Sequence, residues 1–380
     1  MELEELRKKL DGVDDGLLRL FQERMATVKE IASYKKEHDM PVLSQKRERA
    51  ILERVSEQAG EEIEDYARIL YTTLFDLSRS YQARLLNPNG GALSAKIQQA
   101  LDHTPKLFPK RGIVACQGVE GAYSQLACDK LFPSANILYF KNFEGVFSAV
   151  ERGLCQYGML PIENSTYGTV NAVYDLMRHF RFYIVRSVKL KIDHALLTRP
   201  GVRLADVREI FSHEQAVGQC SEFLKKYPDI KVTICENTAM AAKQVAESGR
   251  SDCASISSRD CAALYGLQIA EDGIQNSDSN YTRFICIAKD LAIYPGANRI
   301  SLMLSVPHTP GALYTMISKF SALGLNLTKL ESRPIPGRDF EFLFYFDMEA
   351  SVYSQAVLSL LDELAGGPEQ FVFLGSYSEG

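Results

Sequence analysis

From Leu3 to about Glu37 the chain carries no proline, and its glycines there, Gly12 and Gly16, sit among polar side chains. Leu3, Leu10, Leu17 and Ile31 recur at seven-residue spacing, as do Leu6, Val13 and Leu20, which predicts one long helix with a coiled-coil-like apolar seam. Arg24 falls in the slot of that seam between Leu17 and Ile31. A buried guanidinium without a partner costs several kcal/mol, so either a salt bridge or an anionic ligand inside a helical bundle must satisfy it, and the ligand is the better account. Two further helices are expected over about 44–58 and 62–86, with Pro41 marking the break before them.

The chain has 380 residues, which exceeds one ordinary core and predicts two or three domains. A hydrophobic content of 46%, 24% charged residues and a formal net charge of -5 describe a soluble globular chain without an electrostatic footprint for nucleic acid. No apolar run is long enough to span a bilayer, and the start lacks the basic and apolar regions of a signal peptide, so a cytoplasmic protein is expected. The eight cysteines form no Cys-x-x-Cys pair and the six histidines show no ligand spacing. Reduced, mostly buried thiols are expected, with no metal and no organic cofactor, since no phosphate-loop or Gly-x-Gly-x-x-Gly pattern occurs.

Breakers at Asn87-Pro88-Asn89-Gly90-Gly91 and a polar stretch to Pro109 predict a linker over 88–109. Strand-like and helix-like runs then alternate over 110–290, long enough for two α/β lobes. Over 297–380 the order strand, helix, strand, strand, helix, strand predicts an α+β ferredoxin-like domain.

Within 110–290 four polar clusters lie at the ends of four apolar runs: Gly118 to Ser124, Glu163 to Thr166 and Ser212 to Gln215 follow theirs, and Asp278 to Phe284 precedes its own. Polar side chains at strand ends point into the crevice where open sheets bind small ligands, although Asn, Ser and Thr also favour turns and helix caps for local reasons. The segments Pro161-Ile162-Glu163-Asn164-Ser165 and Thr282-Arg283-Phe284 resemble the signatures of prephenate dehydratase. The resemblance implies a two-lobed, periplasmic-binding-protein-like domain. It also implies that Thr282 donates to the departing ring hydroxyl and that Glu163, Asn164 and Ser165 line the cleft. Arg283 would pair with a substrate carboxylate or support the loop. His213, Gln215 and Thr238 complete the set, with Asn237 standing where relatives commonly have Ser.

Residues 1–87 resemble the all-helical chorismate mutase domain of bifunctional chorismate mutase/prephenate dehydratases, in which two chains intertwine. The matching residues are Arg7, Arg24, Lys35, Arg47, Glu48, Ser78 and Gln82, and Ser44 stands where relatives are often acidic. Arg24 and Lys35 return to within about 20° of one helix face some 16 Å apart, whereas Arg7 faces roughly 100° away and suits a second, symmetry-related site. The resemblance implies that Arg7, Arg24 and Arg47 bind two carboxylates, Lys35 and Gln82 the ether oxygen of chorismate, and Glu48 its hydroxyl. Finally, Gly311-Ala312-Leu313 and Glu331-Ser332-Arg333 resemble the phenylalanine-binding signatures of an ACT regulatory domain. The expected whole is a homodimeric or homotetrameric enzyme of phenylalanine biosynthesis taking chorismate to prephenate to phenylpyruvate, with feedback by L-phenylalanine. The alternative is a solute-binding module with a purely dimerising helical domain.

Overall fold

The computed structural model describes residues 2–86, 90–335, 337 and 341–380, without the side chains of Ala83 and Arg84. The expected breakers at 87–89 and the start of a strand at Phe340 lie outside them. The chain forms two compact units: one holds residues 1–98, 304–326 and 353–371, the other 99–303, 327–352 and 372–380.

The first unit begins with α1 (Leu3–Glu37), α2 (Gln45–Ala59) and α3 (Glu64–Leu86). α1 starts in a capping box of Glu2 and Glu5, and Lys35 and Lys36 complement the dipole in its last turn. Its apolar seam is not covered within the chain: Leu3, Leu10 and Leu17 are 62%, 60% and 55% exposed. The stretch expected as a linker contains α4 (Ala92–His103), because Ile97 and Ala100 supply a buried apolar stripe. A carboxylate from further along the chain completes its start, since Asp362 accepts from the amide nitrogens of Gly91 at 2.6 Å and Ser94 at 3.0 Å.

In the second unit come β1 (Ile113–Gln117), α5 (Tyr123–Leu131), β2 (Asn136–Phe140), α6 (Phe143–Glu151), β3 (Tyr157–Asn164), β4 (Gly168–Thr169), α7 (Asn171–Met177) and β5 (Tyr183–Lys191). They are followed by β6 (Ala195–Thr198), β7 (Glu209–Ser212), α8 (Glu214–Gln219), α9 (Ser221–Leu224), β8 (Lys231–Ile234), α10 (Thr238–Glu247), β9 (Cys253–Ser257), α11 (Asp260–Tyr265), β10 (Gln268–Glu271) and β11 (Tyr281–Ala288). Two mixed sheets result, ordered β2-β1-β3-β11-β5, with β4 beside β3, and β10-β6-β9-β7-β8. They are the two lobes. The chain crosses between them after β5 and returns before β11. Seven of the eight cysteines are buried and Cys235 half-buried, all as free thiols.

The terminal segment runs β12 (Arg299–Ser305), α12 (Ala312–Ala322), β13 (Asn326–Pro334), β14 (Phe342–Glu349), α13 (Gln355–Gly366) and β15 (Phe371–Tyr377), with its strands ordered β13-β14-β12-β15. Its sheet does not stand apart from the first lobe. Met303, Leu343, Tyr345, Leu374 and Tyr377 belong to the same buried cluster as Leu160, Ile162, Ile285 and Ile287. Gly375 is obligatory there: a Cβ would lie 2.3 Å from the carbonyl oxygen of Ile184. Among the described residues no helix is long and apolar enough to cross a membrane.

Candidate active sites

In the helical unit, α1 carries Arg24 against α3. Its guanidinium donates to the Leu74 carbonyl at 3.1 Å and to the Ser78 hydroxyl. Burial lowers its pKa, and no carboxylate among the described residues pairs with it. Its hydrogen bonds are therefore neutral ones, and the positive charge is left for an anion. Lys35 donates to the Val42 carbonyl. Its pKa is also lowered by burial, against the pull of Glu48. Ser78 and Gln82, one turn apart on α3, are each 6% exposed, and Gln82 Oε1 is buried without a partner. A buried unpaired amide oxygen costs on the order of 1–3 kcal/mol, which a bound group can relieve.

Glu48 lies at the start of α2 and is held by Arg79, which also bonds Asp76. The expected set omitted Arg79; a cation one residue from Ser78 was the signal for it. Ser44 precedes α2 without a side-chain cap bond. Arg47 is exposed, and Arg7 pairs with Glu4 at 2.8 Å on the surface. Seventeen residues of helix separate Arg7 from Arg24, about 25 Å, so one chain does not bring these two arginines together.

The second site sits where β3 meets β11, with Thr282 opposite Asn164 and Arg283 opposite Glu163. Asn164 Oδ1 accepts from the amides of Thr166 and Tyr167, both at 2.9 Å, which folds the Asn-Ser-Thr-Tyr turn around it. Its Nδ2 donates to Asn280 Oδ1 at 2.8 Å and to Thr282 Oγ1 at 2.9 Å. Thr282, 8% exposed, thus accepts through its oxygen and keeps its proton to give. Ser165 clamps the facing loop: its hydroxyl donates to the Ser279 carbonyl at 3.0 Å and accepts from the Tyr281 amide at 2.9 Å. Asn280, absent from the expected set, is 2% exposed and leaves its Nδ2 without a partner. Its place two residues before Thr282, on the return between lobes, was the available signal.

Four expected residues have other employment. Arg283 is buried in an ion pair with Asp347 and lies 3.8 Å from Glu163, which supports the strand, while its Nε has no hydrogen-bond partner. Burial alone would lower its pKa, but the facing Asp347 carboxylate together with Tyr377 and Tyr174 offsets this and the net shift is upward. Glu163 bonds Lys329 at 3.0 Å on the same face. His213 caps α8, its side chain accepting from the Gln215 amide at 3.3 Å, and burial lowers its pKa; Gln215 itself is exposed. Asn237, not Thr238, caps α10 by accepting from the Met240 amide at 2.8 Å, while Thr238 is its first helical residue. The Gly118 to Ser124 cluster joins the lobes: Gly121 packs on Cys261 and Leu264, and Tyr265 donates to the Glu120 carbonyl at 2.5 Å.

The effector candidates divide similarly. Gly311 adopts φ +80° at the start of α12, with open space where a Cβ would point, so glycine is needed there for its backbone conformation. Glu331 accepts from Thr169 at 2.7 Å and Arg333 forms a two-pronged pair with Asp175 at 2.8 and 2.7 Å, whereas Ser332 is exposed. Ala312 and Leu313 open α12 half-buried. No cluster of three or more metal-ligating side chains occurs among the described residues.

Two family models divide the chain where these sites fall: chorismate mutase type II matches residues 6–83, and prephenate dehydratase residues 114–292. The fold and the two sites thus define a mutase joined to a dehydratase, not a solute-binding module. Over 380 residues the chain is 32% identical to the bifunctional chorismate mutase/prephenate dehydratase of Escherichia coli (strain K12), covering 98% of this chain and 95% of that one. It is 38% identical to arogenate dehydratase/prephenate dehydratase 2 of Arabidopsis thaliana over 70% of this chain and 72% of that one. The crystal structure of prephenate dehydratase from Arthrobacter aurescens in complex with L-Phe superposes with a TM-score of 0.65 at 27% identity, over 70% of this chain and 89% of that one. The chain belongs to the bifunctional chorismate mutase/prephenate dehydratase family, and it rearranges chorismate to prephenate and converts prephenate to phenylpyruvate.

Proposed function

We propose that Thr282 donates the hydrogen bond that assists departure of the ring hydroxyl in the dehydratase reaction and that Asn164 aims it. Prephenate loses carbon dioxide as its carbon–carbon bond breaks; that electron pair enters the ring, and the ring carbon–oxygen bond breaks with departure of hydroxide, which takes up a proton as water. The chain must supply a donor to that oxygen, and aromatisation supplies the driving force. The observation that carries the reading is the bond from Asn164 Nδ2 to Thr282 Oγ1, which occupies the oxygen and leaves the hydroxyl proton free. Ser165 and Asn280 shape the wall around the pair. Thr282→Val keeps shape and removes the donor, so prephenate turnover should fall about 10²-fold or more with mutase turnover unchanged. Near-normal turnover would remove Thr282 from the mechanism.

In the mutase, a pericyclic shift needs no acid or base. The site has to fold a dianion and stabilise charge on the ether oxygen. Arg24 with Arg47, and Arg7 from a second copy, take the carboxylates; Lys35 and Gln82 take the ether oxygen and Glu48 the hydroxyl. The uncovered seam of Leu3, Leu10 and Leu17 supports pairing of two chains along α1, in a homodimer or homotetramer. The terminal segment is read as an ACT domain that binds L-phenylalanine through Gly311 to Leu313 and Glu331 to Arg333 and inhibits the dehydratase. The L-Phe complex of the Arthrobacter relative supports this. A cytoplasmic setting goes with these substrates. Gly311→Val, strained at φ +80°, should weaken inhibition by added phenylalanine while prephenate turnover persists.

A further inference from the structure

Gly218 stands in the last turn of α8, and its backbone is not in the left-handed region that would call for glycine. Glycine inside a helix is less stable than alanine, so something other than the backbone keeps a side chain out. That something is Tyr167. A Cβ at position 218 would lie 2.2 Å from the Tyr167 hydroxyl oxygen, a clash, and 3.5 Å from its Cζ, an ordinary contact. Tyr167 belongs to the first lobe, in the turn that ends β3, where Asn164 Oδ1 holds its amide at 2.9 Å. Gly218 belongs to the second lobe, so the phenol ring spans from one lobe to the other beside the Asn164–Thr282 pair. The ring is 46% exposed, and among the described residues its hydroxyl makes no hydrogen bond.

Two other links join these elements, and both are hydrogen-bonded. Asn276, on the return between lobes, donates from Nδ2 to the Gly218 carbonyl at 3.3 Å and to the Ser221 hydroxyl at 2.9 Å. Its Oδ1 accepts from the Glu222 amide at 3.0 Å, and its own amide donates to the Gln219 carbonyl at 2.7 Å. At the other end of the return, Ser165 clamps Ser279 and Tyr281 to the turn that carries Tyr167. These bonds hold the hinge. The Tyr167–Gly218 contact is the one link of the three without a hydrogen bond, and it can part when the lobes open.

We propose that Tyr167 is a positioning residue for prephenate: it meets Gly218 only when the lobes are closed, and so raises the fraction of enzyme able to hold substrate beside Asn164 and Thr282. A ligand held only by the closed form has an apparent dissociation constant equal to its intrinsic one divided by the closed fraction. Weakening the contact therefore raises KM and leaves kcat, read at saturation, nearly unchanged. The proposal rests on the cleft at Asn164 and Thr282 as the dehydratase site.

Steady-state prephenate kinetics of the full chain test it. Gly218→Ala should raise KM about tenfold with kcat within about twofold, because the new Cβ and the Tyr167 hydroxyl cannot share the space. In a Tyr167→Phe background, which lacks only the clashing oxygen, the same substitution should raise KM less than about twofold. Tyr167→Ser, which removes the ring, should by itself raise KM about fivefold. A purely structural contact would lower the melting temperature without moving KM, and an unchanged KM in Gly218→Ala overturns the proposal. So does a rise in KM that Tyr167→Phe fails to rescue, or a loss of kcat at unchanged KM. Should Gly218→Ala fail to fold, judged by melting, Tyr167→Ser carries the test, and an unchanged KM there overturns the proposal too. Thr282→Val separates this from the reading beneath it. Lost turnover in Thr282→Val together with normal KM in the Tyr167 and Gly218 variants leaves the site standing and removes the latch; normal turnover in Thr282→Val removes the site assignment and the latch with it.

Discussion

The helical region and the first dehydratase lobe bury their apolar surface in opposite ways. Along α1, residues at seven-residue spacing stay exposed, Arg7 lies about 25 Å along the helix from Arg24, and Gln82 Oε1 has no partner. In the lobe, Leu160, Ile162, Ile285 and Ile287 are 0–2% exposed, and the cluster is completed by Met303, Leu343, Tyr345, Leu374 and Tyr377 of the same chain's terminal segment. One region leaves its apolar seam uncovered within the chain; the other has recruited its own C-terminal segment. Apparent independence in sequence therefore carries opposite meanings in the two.

The harshest way to break this comparison is truncation near Asp290. A regulatory appendage would come away and leave an active dehydratase, but here removal uncovers the Ile162–Ile285 cluster and takes from Arg283 its Asp347 partner. The truncated chain should give no folded, active dehydratase; measured turnover at the full-chain level would show that the lobe closes its own core.

Next in size is Arg24→Ala. Losing a charge-assisted contact in the mutase should cost about 1.5–3 kcal/mol or more of transition-state binding, with prephenate turnover retained. Normal chorismate rearrangement by this variant would move the site elsewhere.

Smaller is the recovery expected on mixing inactive Arg7→Ala with inactive Arg47→Ala under conditions of subunit exchange, since a hybrid pair regains one intact site. Exchange without recovered activity would place each mutase site within a single chain and remove the contrast between the regions.

The smallest effect is a pH dependence specific to the two-lobed unit. His194, at the crossover between lobes, is buried against Gln219 at 2.6 Å, and burial lowers its pKa from 6.5. The unfolded chain then takes the proton more readily than the folded one. Its contribution is fully present above pH 6.5 and is lost as pH falls below it towards the lower folded value. Urea midpoints should decline over that window, and His194→Gln should flatten the decline; an unchanged slope would put its origin in another group.

Much of this was legible along the chain. The spacing of Leu3, Leu10 and Leu17 predicted a helix from Leu3 to about Glu37, where α1 runs, and the polar cluster ending β3 falls opposite Thr282 and Arg283 of β11. The linker was misjudged because α4 has a narrow stripe, Ile97 and Ala100, and takes its cap from Asp362, which lies far off in sequence. His213 and Thr238 stood in the expected cleft set, yet one is itself a helix cap and the other follows one; a cap and a ligand-binding turn use the same residue types.

By itself the sequence determined what depends on local periodicity and residue type: three helical stretches, alternating lobes, the βαββαβ order, and the motifs that hold Asn164 and Thr282. Only the tertiary structure decided which polar residues are free and which are committed. Glu163 and Asn164 are neighbours of similar polarity, and Thr282 and Arg283 share one motif, but strand alternation sends one of each pair to the cleft and the other to a partner on β13 or β14. That assignment depends on a sheet whose strands begin after Thr282 and Arg283 in the chain, and long-range pairing of this kind leaves no periodic trace.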